Sequence, residues 1–226
     1  MTGLYRLTAS VLAALVLLVA PLARAATDEQ DLVDRSRIVL DDVKRDKEFG
    51  NAAQLLKRAS AVLIVPSLFK GGFFIGGEGG SGVFLTRQPD GGWSYPAFYT
   101  MASASFGLQI GAQESELVLI ALSDRAKRAF MADEFKLGAE AGLAVVTLGA
   151  SAEAATTANL NADIVVWASS SGAYGGLTLN GTIIKPRDSY NEAYYGRASS
   201  PATITAGSGV ANHAADALRT TLRGMS

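Results

Sequence analysis

Apolar residues dominate the middle of the chain in short runs rather than in long helical stripes. Ala61–Pro66 (AVLIVP) and Leu117–Leu122 (LVLIAL) are apolar throughout, the pattern of strands buried on both faces. Between them lies Lys70–Arg87 (KGGFFIGGEGGSGVFLTR), where Phe73, Phe74, Ile75, Val83, Phe84 and Leu85 alternate with glycine. Nine of the 24 glycines fall between Gly71 and Gly92. A flexible linker holds glycine with serine and little else. Glycine among strand formers predicts bulges, sharp bends or close approach of a second backbone. Pro89-Asp90-Gly91-Gly92 reads as a hairpin turn, with Trp93–Thr100 as the returning strand. Phe106, Leu108 and Ile110 alternate with Gly107, Gln109 and Gly111 as a half-buried strand. Leu137–Val145, Asp163–Ala168 and Gly175–Ile184 add further strands.

Helical signals sit at the ends and at one point in the middle. Thr27 is placed to cap a helix from Asp28, with acids in its first turn. Leu32, Val33, Leu40 and Val43 supply its apolar stripe, and Ile38 and Val39 widen it. Gly50 and Asn51 interrupt it, and a second helix is expected over Ala52–Ser60. Ser123 is an N-cap for an inserted helix, Asp124–Asp133. Ala150–Asn161 reads as a loop, NEAYYG (191–196) as a short aromatic segment and Arg197–Gly207 as loop. A terminal helix is expected over Val210–Arg223, capped by Ser208 and ended by Gly224. Strands follow one another without a helix between each pair, so βαβ winding is disfavoured. The expected class is α+β and β-rich: a strongly bent antiparallel sheet or partly closed barrel, with N-terminal helices and one inserted helix.

Residues 1–25 carry the marks of an export leader. Arg6 gives the basic start, Val11–Ala20 a ten-residue apolar core and Ala23-Arg24-Ala25 a cleavage signature, so the mature chain is expected to begin at Ala26. About 200 residues then remain, enough for one domain, 26–200, and a C-terminal tail, 201–226, with helical potential. The formal charge is −1 and cysteine is absent. Near-neutral, mixed charge disfavours a general nucleic-acid binder. Absence of cysteine excludes disulfides, thiol chemistry and a lipid-modified cysteine at the leader junction.

Catalytic constellations are sought without success. Gly77–Gly82 matches G-x-G-x-x-G, but strand formers Val83–Thr86 follow where dinucleotide binding needs a helix. His213 is the single histidine, which leaves no set for a serine triad or a zinc centre. Asn159-x-Asn161-x-Asp163 lacks the glycine and glutamate of a calcium loop. Glu114 and Glu116 could share a strand face, but a turn edge is the expected place. No catalytic residue, metal site or cofactor is expected, and the chain is read as non-enzymatic.

Five segments in order resemble one family. They are AVLIVPSLFKGGFFIGGEGGSGVFL (61–85), PAFYTMASASFGLQIGAQESELVLI (96–120), FKLGAEAGLAVV (135–146), DIVVWASSSGAYGGLTLNGTII (163–184) and NEAYYG (191–196). Together they resemble the SYLF domain, also called the Ysc84 actin-binding or Las17-binding domain, here as an exported bacterial member. The resemblance covers about residues 30–200. It implies a lipid-binding module with phosphoinositide-like binding, an amphipathic N-terminal helix and a basic surface. Some members bind actin, a partner not expected for an exported protein.

The residues suggest where an anionic phospholipid would be met. Lys57, Arg58 and Lys70 are headgroup candidates, bracketing apolar membrane-contact candidates Leu68, Phe69, Phe73 and Phe74. Cations beside exposed apolar groups combine electrostatic attraction with interfacial burial. Arg125, Lys127 and Arg128 form a second basic candidate, and Gln109 and Gln113 are polar positions that could line a small cavity. The bland alternative is that the apolar set is core and the cations are ordinary surface. The expected role is an exported, periplasmic or secreted protein peripheral on a membrane surface. The alternative is an envelope structural or protein-interaction module that uses its N-terminal helix and binds no lipid.

Overall fold

The computed structural model describes residues 27–46, 52–72, 75–106, 111–138, 145–148, 162–170, 179, 181–207 and 209–226. The expected leader (1–25), Phe73, Phe74, the Leu108–Ile110 alternation, the 150–161 loop and the Ser208 cap lie outside the described residues.

Two helices come first, α1 (Asp28–Arg45) and α2 (Ala52–Arg58). The Thr27 side chain accepts from Gln30 N as the α1 cap. Strands β1 (Ala61–Gly72), β2 (Ile75–Thr86), β3 (Ala97–Phe106) and β4 (Gly111–Ala121) follow. Next are helix α3 (Asp124–Phe130), which Ser123 caps, and strands β5 (Phe135–Lys136), β6 (Val145–Leu148), β7 (Ile164–Ser170) and β8 (Ile183–Pro186). Helices α4 (Asp188–Tyr195), α5 (Pro201–Thr205) and α6 (Asp216–Met225) close the chain, the last after a 3-10 turn at His213–Ala215. The strands form one open sheet in the order β5-β8-β3-β2-β1-β4-β7-β6. It is antiparallel from β5 to β7 and parallel only where β6 joins β7.

Both faces of this sheet carry a packed apolar core. On the first, Val62, Ile64, Val83, Leu85, Phe98, Val118, Ile120 and Trp167 pack beneath α1, α2, α4 and α6. On the second, Leu63, Val65, Phe84, Tyr99, Leu119 and Val166 meet Phe130 of α3, Ile204 of α5, Phe135 and Leu137. That two-sided burial explains why β1 and β4 read as continuous apolar runs.

The glycines of β2 serve a bulge in β1. The register of β1 slips by one residue between Ile64 and Ser67 against β2, and between Val65 and Leu68 against β4. Pro66 sits in this slip, where its missing N–H breaks no regular ladder position. A Cβ on Gly82 would lie 2.5 Å from Ile64 O, and one on Gly80 the same distance from Ser67 O. Only glycine lets β2 approach the bulge this closely.

Three expectations need correction. NEAYYG lies within and just beyond α4, which buries Asn191 and Tyr194 instead of an aliphatic stripe. Arg197–Gly207 is not loop throughout, since Pro201–Thr205 forms α5 with Ile204 fully buried, as are Leu218 and Leu222 of α6. Gly224 lies inside α6 rather than ending it, and Asn212 caps the 3-10 turn that leads into that helix.

Candidate functional site

The groups read as one candidate site are split along β1, with Lys57 and Arg58 before its start and Leu68, Phe69 and Lys70 toward its far end. Lys57 and Arg58 are exposed in the last turn of α2, just before Ala61. Phe69 lies eight residues further along β1, about 25 Å away at strand spacing. Lys70 stands opposite Glu78 in the β1–β2 register and opposite Gln113 in the β1–β4 register. Leu68 is 3% exposed and belongs to the second-face core, so it does not reach the surface. Phe69 is 55% exposed.

Lys57 and Arg58 gain other neighbours instead. Ala61 pairs with Ala121, so the start of β1 and the end of β4 share one end of the sheet. Ser60 locks the two connections together. Its N–H donates to Ala121 O at 2.8 Å, and its hydroxyl donates to Ser123 O at 2.9 Å. Arg125 and Arg128 of α3 are exposed at this end, while Lys127 is held by Asp124 at 2.8 Å. That contact keeps the Asp124 carboxyl below its usual range. The two basic segments of the sequence therefore flank one end of the sheet, α2 on the first face and α3 on the second.

The amphipathic α1 is not available for lipid in this state. Val33, Val39, Leu40 and Val43 are buried against the sheet and α6. Its outer flank carries Arg35, whose guanidinium lies 3.6 Å from Glu114. Glu114 also accepts from the Ser67 hydroxyl at 2.5 Å. Glu114 and Glu116 do share a face of β4, rather than edging a turn. Burial pushes the Glu116 carboxyl up, against the lowering effect of the Ser169 hydroxyl that donates to it, and nearby Asp42 pushes the same way as burial.

Sequence reasoning missed the polar anchors of the first face. Asn191 accepts from Phe98 N at 2.8 Å and donates to Phe98 O at 3.4 Å while fully buried. Tyr194 and Tyr195 of the same motif donate to Gln30 of α1 and to Pro96 O. Arg87 lies over the Trp93 ring and donates to Leu56 O and to the Ser226 hydroxyl at 2.9 Å, joining α2, the β2–β3 turn and the end of α6. Burial lowers its pKa. The NEAYYG string carried a signal, two tyrosines beside a polar residue, but nothing in it says that the asparagine is inside. His213 is an exposed surface residue bonded to Asp216 and Tyr95, and Gln113 lies in β4 with Gln109 outside the described residues. Among the described residues no group of three or more acidic or histidine side chains is placed to hold a metal ion.

These features define an α+β module built on a glycine-bulged sheet, with a basic end and a polar-anchored helical layer. The chain belongs to the family described as Las17-binding protein actin regulator (Ysc84), whose profile matches residues 102–225. It is 34% identical over 170 residues to protein YSC84 of Saccharomyces cerevisiae, covering 71% of this chain and 36% of that protein. It is 33% identical over 144 residues to SH3 domain-containing YSC84-like protein 1 of Rattus norvegicus, covering 63% and 42%. LAS seventeen-binding protein 3 of Saccharomyces cerevisiae is 32% identical over 170 residues, covering 71% and 36%. The chain thus spans well under half the length of these relatives.

Proposed function

We propose that this chain is a non-enzymatic, peripheral module that binds anionic phospholipid surfaces through the end of the sheet that α2 and α3 flank. The observation that carries this reading is that exposed Lys57 and Arg58 on one face, and exposed Arg125 and Arg128 on the other, flank the same end of the sheet. Each cation near an anionic surface contributes about 1 kcal/mol. Loss of three cations therefore corresponds to about 100-fold in affinity. The leader-like segment 1–25 accords with this role, since an exported chain meets phospholipid and not actin.

The test is co-sedimentation with vesicles of neutral lipid containing increasing phosphatidylglycerol, at low and high salt. Binding is expected to rise with anionic fraction and fall with salt. The variant carrying Lys57→Glu, Arg58→Glu and Arg128→Glu is expected to lose at least about 100-fold, and Phe69→Glu to bind normally. Absence of binding at every composition, or normal binding by the triple variant, overturns the reading. The second reading, a protein-interaction module, is favoured by the exposure of Phe69 on a central strand. The relatives' family description refers to Las17 binding and actin regulation, and a protein partner here would be of a kind that the Phe69 face fits.

A further inference from the structure

Three connections come together at the end of the sheet that α2 and α3 flank, and Ser60 ties them to one another. Its N–H donates to Ala121 O at 2.8 Å, its hydroxyl donates to Ser123 O at 2.9 Å, and its carbonyl accepts from Arg87 N at 2.9 Å. Residues 57–60 before β1, 87–93 between β2 and β3, and 122–128 after β4 therefore form one platform. Its acids are Asp90 and Asp124. Each holds a cation of its own, Arg223 of α6 at 3.2 Å and Lys127 at 2.8 Å. Lys57, Arg58 and Arg128 are exposed and pair with no carboxylate among the described residues. The large apolar residues exposed on the described surface, Ile38 and Phe69, lie elsewhere. Phe69 is about 25 Å further along β1. Ile38 is one turn of α1 from Arg35, which reaches Glu114, the register partner of Phe69.

We propose, resting on the lipid reading above, that the molecule docks on an anionic bilayer end-on, its central strands standing away from the surface and the β2–β3 turn sharing the footprint with α2 and α3. Cations carried on opposite faces of a sheet reach one plane together only when the strands point at that plane. Lying on either face would lift one basic pair away from the lipid by the thickness of the sheet and its covering layer. End-on docking brings the turn to the headgroups as well, where Pro89, Asp90 and Gly91 are exposed. Asp90 then faces an anionic surface with Arg223 beside it. Gly92 lets Arg223 lie across the turn, since a Cβ there would fall 2.5 Å from its Nη2. Asp90 and Arg223 are 68% and 62% exposed, and an ion pair so exposed contributes little, so a lipid phosphate can replace Asp90 on Arg223. With no large apolar side chain exposed at this end among the described residues, the attraction is electrostatic and the protein rides on the headgroups without inserting.

The test uses the full chain and vesicles of phosphatidylcholine with phosphatidylglycerol. Asp90→Asn, which keeps an acceptor for Gly92 N–H, is expected to bind about fivefold more tightly, and Arg223→Glu at least about fivefold more weakly. Lys185→Glu makes the same charge change as Arg223→Glu on an exposed residue of β8, away from that end, and is expected to bind as the parent does. The chain has no cysteine, so Pro89→Cys and, separately, Ala102→Cys each carry a single fluorophore. A lipid with a spin label on its headgroup is expected to quench the fluorophore at position 89 and not the one at position 102. Ala102 pairs with Gly79, seven residues along β2 from Thr86, or about 24 Å from the platform. Equal quenching at the two positions overturns end-on docking. So does equal weakening by Lys185→Glu and Arg223→Glu with no gain from Asp90→Asn. In both cases the lipid reading still stands on the loss of binding by the Lys57→Glu, Arg58→Glu and Arg128→Glu variant. Absence of binding by the parent chain at every composition overturns both.

Discussion

Gly82→Ala isolates the contact on which the central sheet depends. Its new methyl would sit 2.5 Å from Ile64 O and 2.8 Å from Val65 Cγ2. The carbonyl belongs to the bulged segment of β1, which is paired on both sides, so no side-chain rotation can relieve the clash. The strands must separate by several tenths of an ångström or the bulge must reshape. Overpacking of this kind costs about 1–3 kcal/mol. Replacing glycine also restricts the unfolded chain, which returns about 0.4–1 kcal/mol. A net loss of about 1–2 kcal/mol remains, or about 3–8 °C in melting temperature for a domain of this size. Gly79→Ala, three residues earlier in the same strand, is the control, because its methyl meets only Met101 O at 3.9 Å. That variant is expected to melt at the parent temperature or about 1–3 °C above it. Thermal unfolding followed by circular dichroism reads both. Equal shifts in the two variants would refute the account of the glycines as accommodating a bulge.

Two further perturbations test the first face. Asn191→Leu keeps the volume but removes the acceptor for Phe98 N–H in a fully buried place; it should cost about 1–3 kcal/mol, and an unchanged denaturant midpoint would show that α4 does not depend on this anchor. Glu116 has a carboxyl raised first by burial, so the folded state holds its proton more tightly than the unfolded state. Stability then falls as pH rises from the ordinary carboxylate value through the raised folded one, and the loss persists above it. Glu116→Gln, which keeps an acceptor for Ser169, should raise the melting temperature at pH 7 by up to about 2 °C and flatten the profile across that window; a lower melting temperature at pH 7 would show that the charge is useful to the fold.

Local chemistry was the part legible in the sequence. The Thr27 and Ser123 caps, the Pro89–Gly92 turn and the continuous strands β1 and β4 each rest on residues close together in the chain. Helix α4 was hidden because its buried positions are Asn191 and Tyr194, so no aliphatic period marks it. Helix α5 is five residues long, too short for any periodicity to show. The parallel pairing of β6 with β7 was beyond reach, because no local residue records its partner. The basic end was hidden for the same reason. Arg58 and Arg125 come to the same end of the sheet only through the pairing of Ala61 with Ala121.

The separation of exposed Phe69 from buried Leu68, two residues read alike as membrane-contact candidates, was illegible for a sharper reason, and it ties the fold to the site. Strict alternation from Leu63 and Val65, both in the second-face core, would carry Ser67 and Phe69 inward and leave Leu68 outside. The extra residue at Val65–Pro66 inverts that order, so Leu68 enters the core and Phe69 emerges on the opposite face. The inversion needs β2 to run without side chains at Gly80 and Gly82, where a Cβ would strike β1. The glycines therefore do more than bend the sheet. They hold the bulge that turns Phe69 outward while Leu68 stays in the core, a split that the apolar pattern read without the bulge does not show.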